Sequence, residues 1–352
     1  SEMCIRDSHL IGGGFYNPHS LYRVRIIAHA SLVQRHKNWQ SIVKARLQQA
    51  IQLRHNLNLP NDATNAFRLC NSESDGLSGL VIDYLHDIIV MSSNAYWVET
   101  HRQLLMDMMQ EFYPKHQLIW ISQKKPLSQD GIDTPLQQEA SGLKTIIKES
   151  NIQFEIHFDQ IQKTGIYIDQ RENHARVAKL AHNKRVLDLY TYHGGFALHA
   201  AAAGAKMVTA VDSSAPAIEH AKRNAALNQT NTINWHVGDA RDYLKDAAQY
   251  DIIILDPPKL APSKKHLHQA KNLYRYLHRE LFSHMNSGSL LMTCNCSSAL
   301  STAEFSQLVT QQAHAKGRQV QILGTYGPAI CHPILPIFPE GQYLSSILLA
   351  IN

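Results

Sequence analysis

The sequence predicts an α/β fold built around a mostly parallel sheet, with a small α+β domain in front of it. Three observations carry that expectation. From Val186 onward, short apolar runs alternate with amphipathic runs, the pattern of strands joined by crossover helices. These runs stop at polar residues in a regular way: Asp188, Asp212, Asp239 and Asp256, then Cys294 and Cys296. A glycine pair, Gly194-Gly195, separates the first apolar run from the helical pattern that follows it. Strand, glycine turn, helix, strand and acid together make one half of a nucleotide-binding sheet, whose ligands sit beyond the carboxyl ends of the strands.

The chain has 352 residues, room for two domains or a little more. The expected division is residues 1–28, 29–150 and 151–352. Hydrophobic residues make up 44%, enough for a sizeable core, and no apolar run approaches the roughly 18 residues a membrane span needs. The beginning of the sequence has no basic segment followed by an apolar one, so no secretory signal is expected. The five cysteines (Cys4, Cys70, Cys294, Cys296 and Cys331) form no C-x-x-C pair, which argues against a zinc ribbon or a disulfide scaffold and for a reducing cytoplasm. The 21 histidines show no clustered ligand spacing, and His266 with His268 reads as a solvated loop, so no metal is expected. A net charge of +5 permits a polyanionic partner.

Along the first part of the chain, SEMCIRDS at residues 1–8 fits no later pattern and is expected to be a scar outside the fold. Leu10 to Ile27 is Gly-rich, then aromatic, then alternating, like the tail of a small β domain whose front is missing. Ser31 to Asn56 is predicted as one helix with Trp39, Ile42, Val43, Leu47, Ala50 and Ile51 on its apolar face. Its Arg35, Lys37, Lys44, Arg46 and Arg54 are read as mostly a solvated basic face. Strands are predicted at Ala66 to Leu69, Leu80 to Tyr84, Ile88 to Ser92 and Leu118 to Ser122, a helix at Tyr96 to Phe112, and a loop from Lys124 to Pro135.

Ile152 to Phe158 alternates as the first strand of a new domain, and Asp169 is placed to cap a helix running to His182. Strands then follow at Val186 to Leu189, Lys206 to Val211, Ile233 to Val237, Tyr250 to Leu255 and Ser289 to Thr293, with closing strands at Val320 to Thr325 and Tyr343 to Ala350. Helices are predicted at Phe196 to Ala203, Pro216 to Leu227, Leu267 to His284 and Ala303 to Lys316.

The turn after the first strand is Tyr190-Thr191-Tyr192-His193-Gly194-Gly195, not the G-x-G-x-x-G that cradles a pyrophosphate. It suits a ligand with ribose and adenine but no phosphate, and S-adenosyl-L-methionine fits. In that reading Asp212 holds the ribose, Asp239 with Ala240 edges the adenine, and Asp188 and Tyr190 line the methionine part, with Tyr192 and Gly194 in the same turn. The bland alternative is an ordinary buried β-α-β unit.

Asp256-Pro257-Pro258-Lys259 follows the apolar run IIIL, and two prolines stiffen the backbone there. That turn can hold a carboxylate and a carbonyl against a flat base, with Pro257 and Lys259 as substrate-side candidates. Cys296 is the candidate nucleophile, with Asp256 beside it as the second catalytic residue. Cytosine C5 is a poor nucleophile, and a thiolate adding at C6 pushes electron density onto C5. A carboxylate near N3 would stabilise the adduct. Cys294 competes for the role, but it is the one more prone to lie within the strand.

On GFYNPHS, NSESDGLSGLVID, KTGIYIDQRENH, VLDLYTYHGGF, VDSSAPAIEHAKRNAALN, LDPPK, TCNCS and HPILPIFPEG, the chain resembles the large-subunit ribosomal RNA cytosine-5 methyltransferases that carry an N-terminal PUA domain. The resemblance implies a Rossmann-like class I methyltransferase domain, preceded by a small α+β domain and a remnant of a PUA β-barrel. It implies S-adenosyl-L-methionine as methyl donor, 23S ribosomal RNA as partner and a homodimer. It places Lys163, Tyr167, Asp169, Gln170 and Arg171 near cofactor and substrate. Tyr16, Tyr192, Tyr274 and the lysines from Lys259 to Lys271 are candidates for stacking and phosphate contacts, and Glu340 is a candidate base for the C5 proton. Two other readings stand beside this one: a purine methyltransferase of the same fold that needs no thiol, and a non-catalytic RNA-binding protein.

Overall fold

A computed structural model describes residues 2–6, 9–36, 38–133, 142–158, 166–261 and 263–352. The chain divides into two compact units. One comprises residues 1–151, 155–168 and 330–338; the other comprises 152–154, 169–329 and 339–352.

The first unit carries a three-stranded and a four-stranded sheet as well as most of a two-stranded one. Glu2–Arg6, His9–Tyr16 and Val24–His29 form an antiparallel sheet, so the segment expected to be a scar is paired as a strand. Ala66–Asn71, Leu80–Leu85, Ile88–Ser93 and Gln117–Ser122 form the second, with the last pair parallel. The single helix expected at 31–56 is two, Ala30–Arg35 and Trp39–Asn56, because Asn38 caps the second by accepting from Ser41 N. Arg54 is not solvated. It is fully buried, forks onto the Asp75 carboxylate at 2.6 and 2.8 Å and donates to the Cys331 carbonyl at 2.8 Å. Lys37 lies outside the described residues. The helix expected at 96–112 breaks at His101 into Tyr96–Thr100 and Arg102–Phe112, and the expected loop after Ser122 holds a short helix, Lys124–Gln129. The expected strand at 152–158 is Ile152–His157, and it pairs with Lys144–Glu149 across a two-residue turn in which Ser150 and Asn151 have φ of 49° and 69°.

The second unit is the doubly wound sheet. Its strands are β1 (Arg185–Leu189), β2 (Met207–Asp212), β3 (Ile233–Val237), β4 (Ile252–Leu255), β5 (Leu290–Asn295), β6 (Val320–Tyr326) and β7 (Ser345–Ile351). Their order is β3-β2-β1-β4-β5-β7-β6. The first five are parallel; β7 is inserted antiparallel between β5 and β6. The helices are α1 (Arg171–Ala178), α2 (Gly195–Ala202), α3 (Ala215–Leu227), α4 (Leu267–His284) and α5 (Thr302–Ala315). Residues 240–249, between β3 and β4, form a 3₁₀ segment.

Side chains of a strand alternate between the two faces. Leu187, Leu189, Ile253, Leu255, Leu291, Ile347 and Leu349 share one core with Tyr274, Leu277, Leu281 and Phe282 of α4 and Phe305, Leu308 and Val309 of α5. The residues between them, including the buried Val186, Asp188, Ile252 and Ile254, take the opposite face, where α2 begins over β1. Helix α1 is shorter than expected and lacks the Asp169 cap. A 3₁₀ turn, Ile168–Gln170, leads into it, and Asp169 instead accepts from the Tyr343 hydroxyl at 2.7 Å. Among the described residues, no helix is long and apolar enough to cross a membrane.

Candidate active site

The strand order reverses between β1, which leads out to β2, and β4, which leads out to β5. Two neighbouring loops diverge there and open a crevice. Asp188, in β1, is fully buried. Its Oδ2 accepts from Thr191 Oγ1 at 2.5 Å and from the α2 backbone at Ala197 N at 3.0 Å. Its Oδ1 is buried with no hydrogen-bond partner among the described residues. Burial pushes its carboxyl up to about 6, against the pull of the Thr191 and Ala197 bonds.

The turn after β1 is wound through left-handed residues: Tyr190 at φ 66°, Tyr192 at 50° and Gly194 at 86°. For the two tyrosines that conformation is costly. The turn is held by Asp212 at the end of β2, whose Oδ2 accepts from Tyr192 N and Oδ1 from Ser214 N, both at 2.9 Å. A Cβ on Gly194 would lie 2.7 Å from the Trp235 ring, so glycine is required there by space as well as by φ.

Beside this turn a cleft of about 230 Å³ is lined by Tyr190, Ser213, Asp239, Ala240, Arg241, Pro258, Leu260 and Leu273. Burial, then the Asp239 charge, raises the Tyr190 phenol to about 12, so it stays a hydrogen-bond donor. Asp239 caps the 3₁₀ segment through Arg241 N at 2.9 Å and is forked by the Arg241 guanidinium, which holds its carboxyl below the usual range. Arg241, Ser213, Leu260 and Leu273 were missed from sequence. Arg241 had a local signal, since Asp-x-Arg at a helix start can close on itself; Leu273 had none beyond the apolar face of α4.

On the other side of the crevice, Asp256 follows β4 and is half-buried. Its Oδ2 accepts from Gln170 Nε2 at 2.9 Å. Burial first, then the charge of Asp169, pushes its carboxyl up to about 7. Cys296 lies one residue past the end of β5, half-buried, with its thiol 3.7 Å from the Pro257 carbonyl oxygen. Cys294 is inside β5 and fully buried, accepts from Ser346 Oγ at 3.3 Å, and has its thiol pushed far up by burial. Among the described residues, Cys70, Cys294, Cys296 and Cys331 form no disulfide.

The structure thus brings Tyr190, Asp239 and Ala240 to one cleft, and Asp256, Pro257, Gln170 and Cys296 to one cluster. Arg171 is buried and 3.4 Å from Glu172, Lys259 is exposed, and Tyr167, 42% exposed, belongs to the first unit. Tyr192 stacks on His193 with centroids 3.7 Å apart, and Tyr274 is buried against Phe305, so it is not free to stack on a base. Lys163 lies outside the described residues.

A parallel sheet with one reversed strand, and a nucleoside-sized cleft at its switch point, define the class: a Rossmann-like S-adenosylmethionine-dependent methyltransferase. A family profile for S-adenosylmethionine-dependent methyltransferases matches residues 133–317. The chain belongs to that family. It is 33% identical over 346 residues to "Ribosomal RNA large subunit methyltransferase I" of Pseudoalteromonas atlantica, spanning 96% of this chain and 87% of that protein. The protein of the same name from Alteromonas mediterranea is also 33% identical, over 97% of this chain and 87% of its own length. A solved structure described as a methyltransferase complexed with SAH shares the fold at TM-score 0.81 and 20% identity, covering 97% of this chain and 88% of the other. The S-adenosylmethionine-dependent methyltransferase from Agrobacterium tumefaciens does so at TM-score 0.55 and 19% identity, over 82% of this chain and 90% of the other.

The residues present fit the cofactor. The orphaned Asp188 Oδ1 is a buried acceptor awaiting a donor, as an ammonium would supply. Apolar Pro258, Leu260 and Leu273 and the carboxylate of Asp239 in one cleft suit the face and edge of an adenine.

Proposed function

We propose that this enzyme methylates C5 of a cytosine in large-subunit ribosomal RNA through a covalent adduct on Cys296. The observation that carries the reading is the place of the Cys296 thiol. It stands just past β5 and against the carbonyl of Pro257, the residue that follows Asp256, while Cys294 is sealed inside the sheet. The names of the relatives support ribosomal RNA as the substrate class. An antiparallel sheet over residues 2–29, read as a PUA remnant, and the α+β region to residue 150 would add RNA contacts to the catalytic domain.

S-adenosylmethionine, when bound, supplies an electrophilic methyl group and leaves as a neutral thioether. Asp188, Tyr190, Asp212, Asp239 and Ala240 hold and orient it. The target base must leave its stack to expose C5 and C6. Cys296, having given up its proton to solvent, bonds to C6 as the thiolate; the C5=C6 pair shifts into C4=C5, and the C4=N3 pair takes a proton from Asp256 at N3, so the ring becomes an enamine. After methyl transfer the C5 proton is lost to a base. The C6–S bond then breaks, its electrons return to sulfur, and the N3 proton goes back to Asp256.

The test is mass-spectrometric mapping of methylcytidine in large-subunit ribosomal RNA from a strain lacking the gene, before and after treatment with purified enzyme. One cytosine should be unmethylated in the first sample and methylated in the second. A methylated purine at the restored position would overturn the reading.

A further inference from the structure

Behind Asp256 runs a buried chain of amides whose direction is fixed at its far end. Arg176 Nη1 donates to Asn173 Oδ1 at 3.0 Å, and its guanidinium is anchored 4.2 Å above the Tyr326 ring. A guanidinium has no acceptor, so this Asn173 atom must be oxygen and the other end must be the NH₂. Asn173 Nδ2 then donates to Gln170 Oε1 at 2.6 Å and to Ser346 Oγ at 3.0 Å. With its oxygen thus occupied, Gln170 can face Asp256 only with its own NH₂, which it does at 2.9 Å. Gln170 and Asn173 are 5% and 0% exposed, so water does not substitute for either amide.

We propose that Arg176, Asn173 and Gln170 form a positioning relay that commits Oδ2 of Asp256 to accepting, so that only Oδ1 can carry the proton offered to the substrate base. The inference rests on the reading that Asp256 faces that base. It adds a reason for choosing cytosine: cytosine N3 accepts a proton, whereas uracil N3 already carries one and would meet a proton head-on. Asp256 lies among the charges of Asp169, Asp188 and His174 and acts in turn on the Tyr274 hydroxyl and the Cys294 thiol, both of which also feel Cys296. Burial and the two aspartates raise its carboxyl to about 7, while the Gln170 amide and His174 draw it back, so the proton is both present and transferable near neutrality.

The experiment is a ¹³C NMR titration of the Asp256 carboxyl in the full chain without RNA or methyl donor, joined to the pH profile of kcat. Gln170→Leu removes the donor and should raise the midpoint. The near-isosteric Gln170→Glu, which sets a second carboxyl against the first, should raise it further, by about one pH unit or more. Arg176→Ala, at the half-exposed end, should move it the same way by less. In Gln170→Glu, kcat should fall about tenfold or more with its pH profile displaced upward, while KM for RNA changes less than threefold and the preference for cytosine over uracil narrows. An Asp256 midpoint unmoved in both Gln170 variants would overturn the relay, as would a kcat loss with an undisplaced pH profile. The titration uses no substrate, so it stands even if methylation proves to fall on another base, and an unmoved midpoint leaves the cytosine reading intact.

Discussion

Asp239 and Asp256 each follow a strand of one parallel sheet, yet they are tuned in opposite directions. Asp239 is half-exposed and forked by Arg241, and its carboxyl is held below the ordinary range. Asp256 has an amide for a partner, two carboxylates for neighbours and little water, and its carboxyl is raised to about 7. A strand-end aspartate is therefore a position, and its chemistry is set by what the next loop and the facing helix bring to it. The open half of the crevice keeps a permanent anion, suited to binding. The closed half keeps a carboxyl that changes state near neutrality, suited to moving a proton.

The largest effect should come at the thiol against the Pro257 carbonyl. Cys296→Ala should lower the transfer of labelled methyl to RNA by about a thousandfold or more, with S-adenosylmethionine binding by calorimetry unchanged. Retained turnover would turn the comparison toward a purine reaction. Cys294→Ala should keep most of the turnover, since that thiol faces the interior of β5.

Next is Asp256→Asn, expected to cost about a hundredfold in kcat and to change stability with a definite sign. The folded pKa of this carboxyl lies above its unfolded value. The folded state therefore binds the proton more tightly, and this group's contribution falls as pH rises from about 4 to about 7 and stays low above that. At pH 8 the variant should melt higher than the wild type, and at pH 4 the advantage should vanish. With about 1.4 kcal/mol for each pH unit separating the folded and unfolded pKa, the gain is on the order of 2–4 kcal/mol. Thermal melts at the two pH values check it; a loss of stability at pH 8 would break the contrast between the two aspartates.

On the binding side, Gly194→Ala meets both the left-handed φ and the Trp235 ring and should lose about 1–3 kcal/mol in urea unfolding. Asp239→Ala should weaken S-adenosylmethionine binding about tenfold, near 1.4 kcal/mol, with a flat pH dependence between 6 and 8. A pH-dependent Kd there would erase the distinction.

Much of the fold is readable from sequence because it depends on local patterns. Ile233–Val237 and Leu267–His284 are where the apolar periodicity puts them, and Asp212, Asp239, Asp256 and Cys296 stand at or just past strand ends as expected, whereas Asp188 and Cys294 lie inside their strands. Other features are set by contacts distant in sequence. The Asp256–Gln170 bond joins positions 86 residues apart, and Asn173 reaches Ser346 across 173. No periodicity foretells that a glutamine before a helix will face an aspartate. Arg54 reads as solvated basic surface because charge alone is visible in sequence; its partner, Asp75, lies 21 residues on. The order of the last two strands is hidden as well, since alternation gives their existence and not their insertion.

That insertion has a consequence for synthesis. Strand β7 is translated after β6 but fills the gap between β6 and β5, and it carries the Ser346 hydroxyl that reaches Asn173 and Cys294. Until residues 345–351 have left the ribosome, β5 has one bare edge and the catalytic side of the sheet is unfinished. A nascent chain stalled at residue 340 should bury β1 to β4 against their helices while remaining unable to add a methyl group to anything.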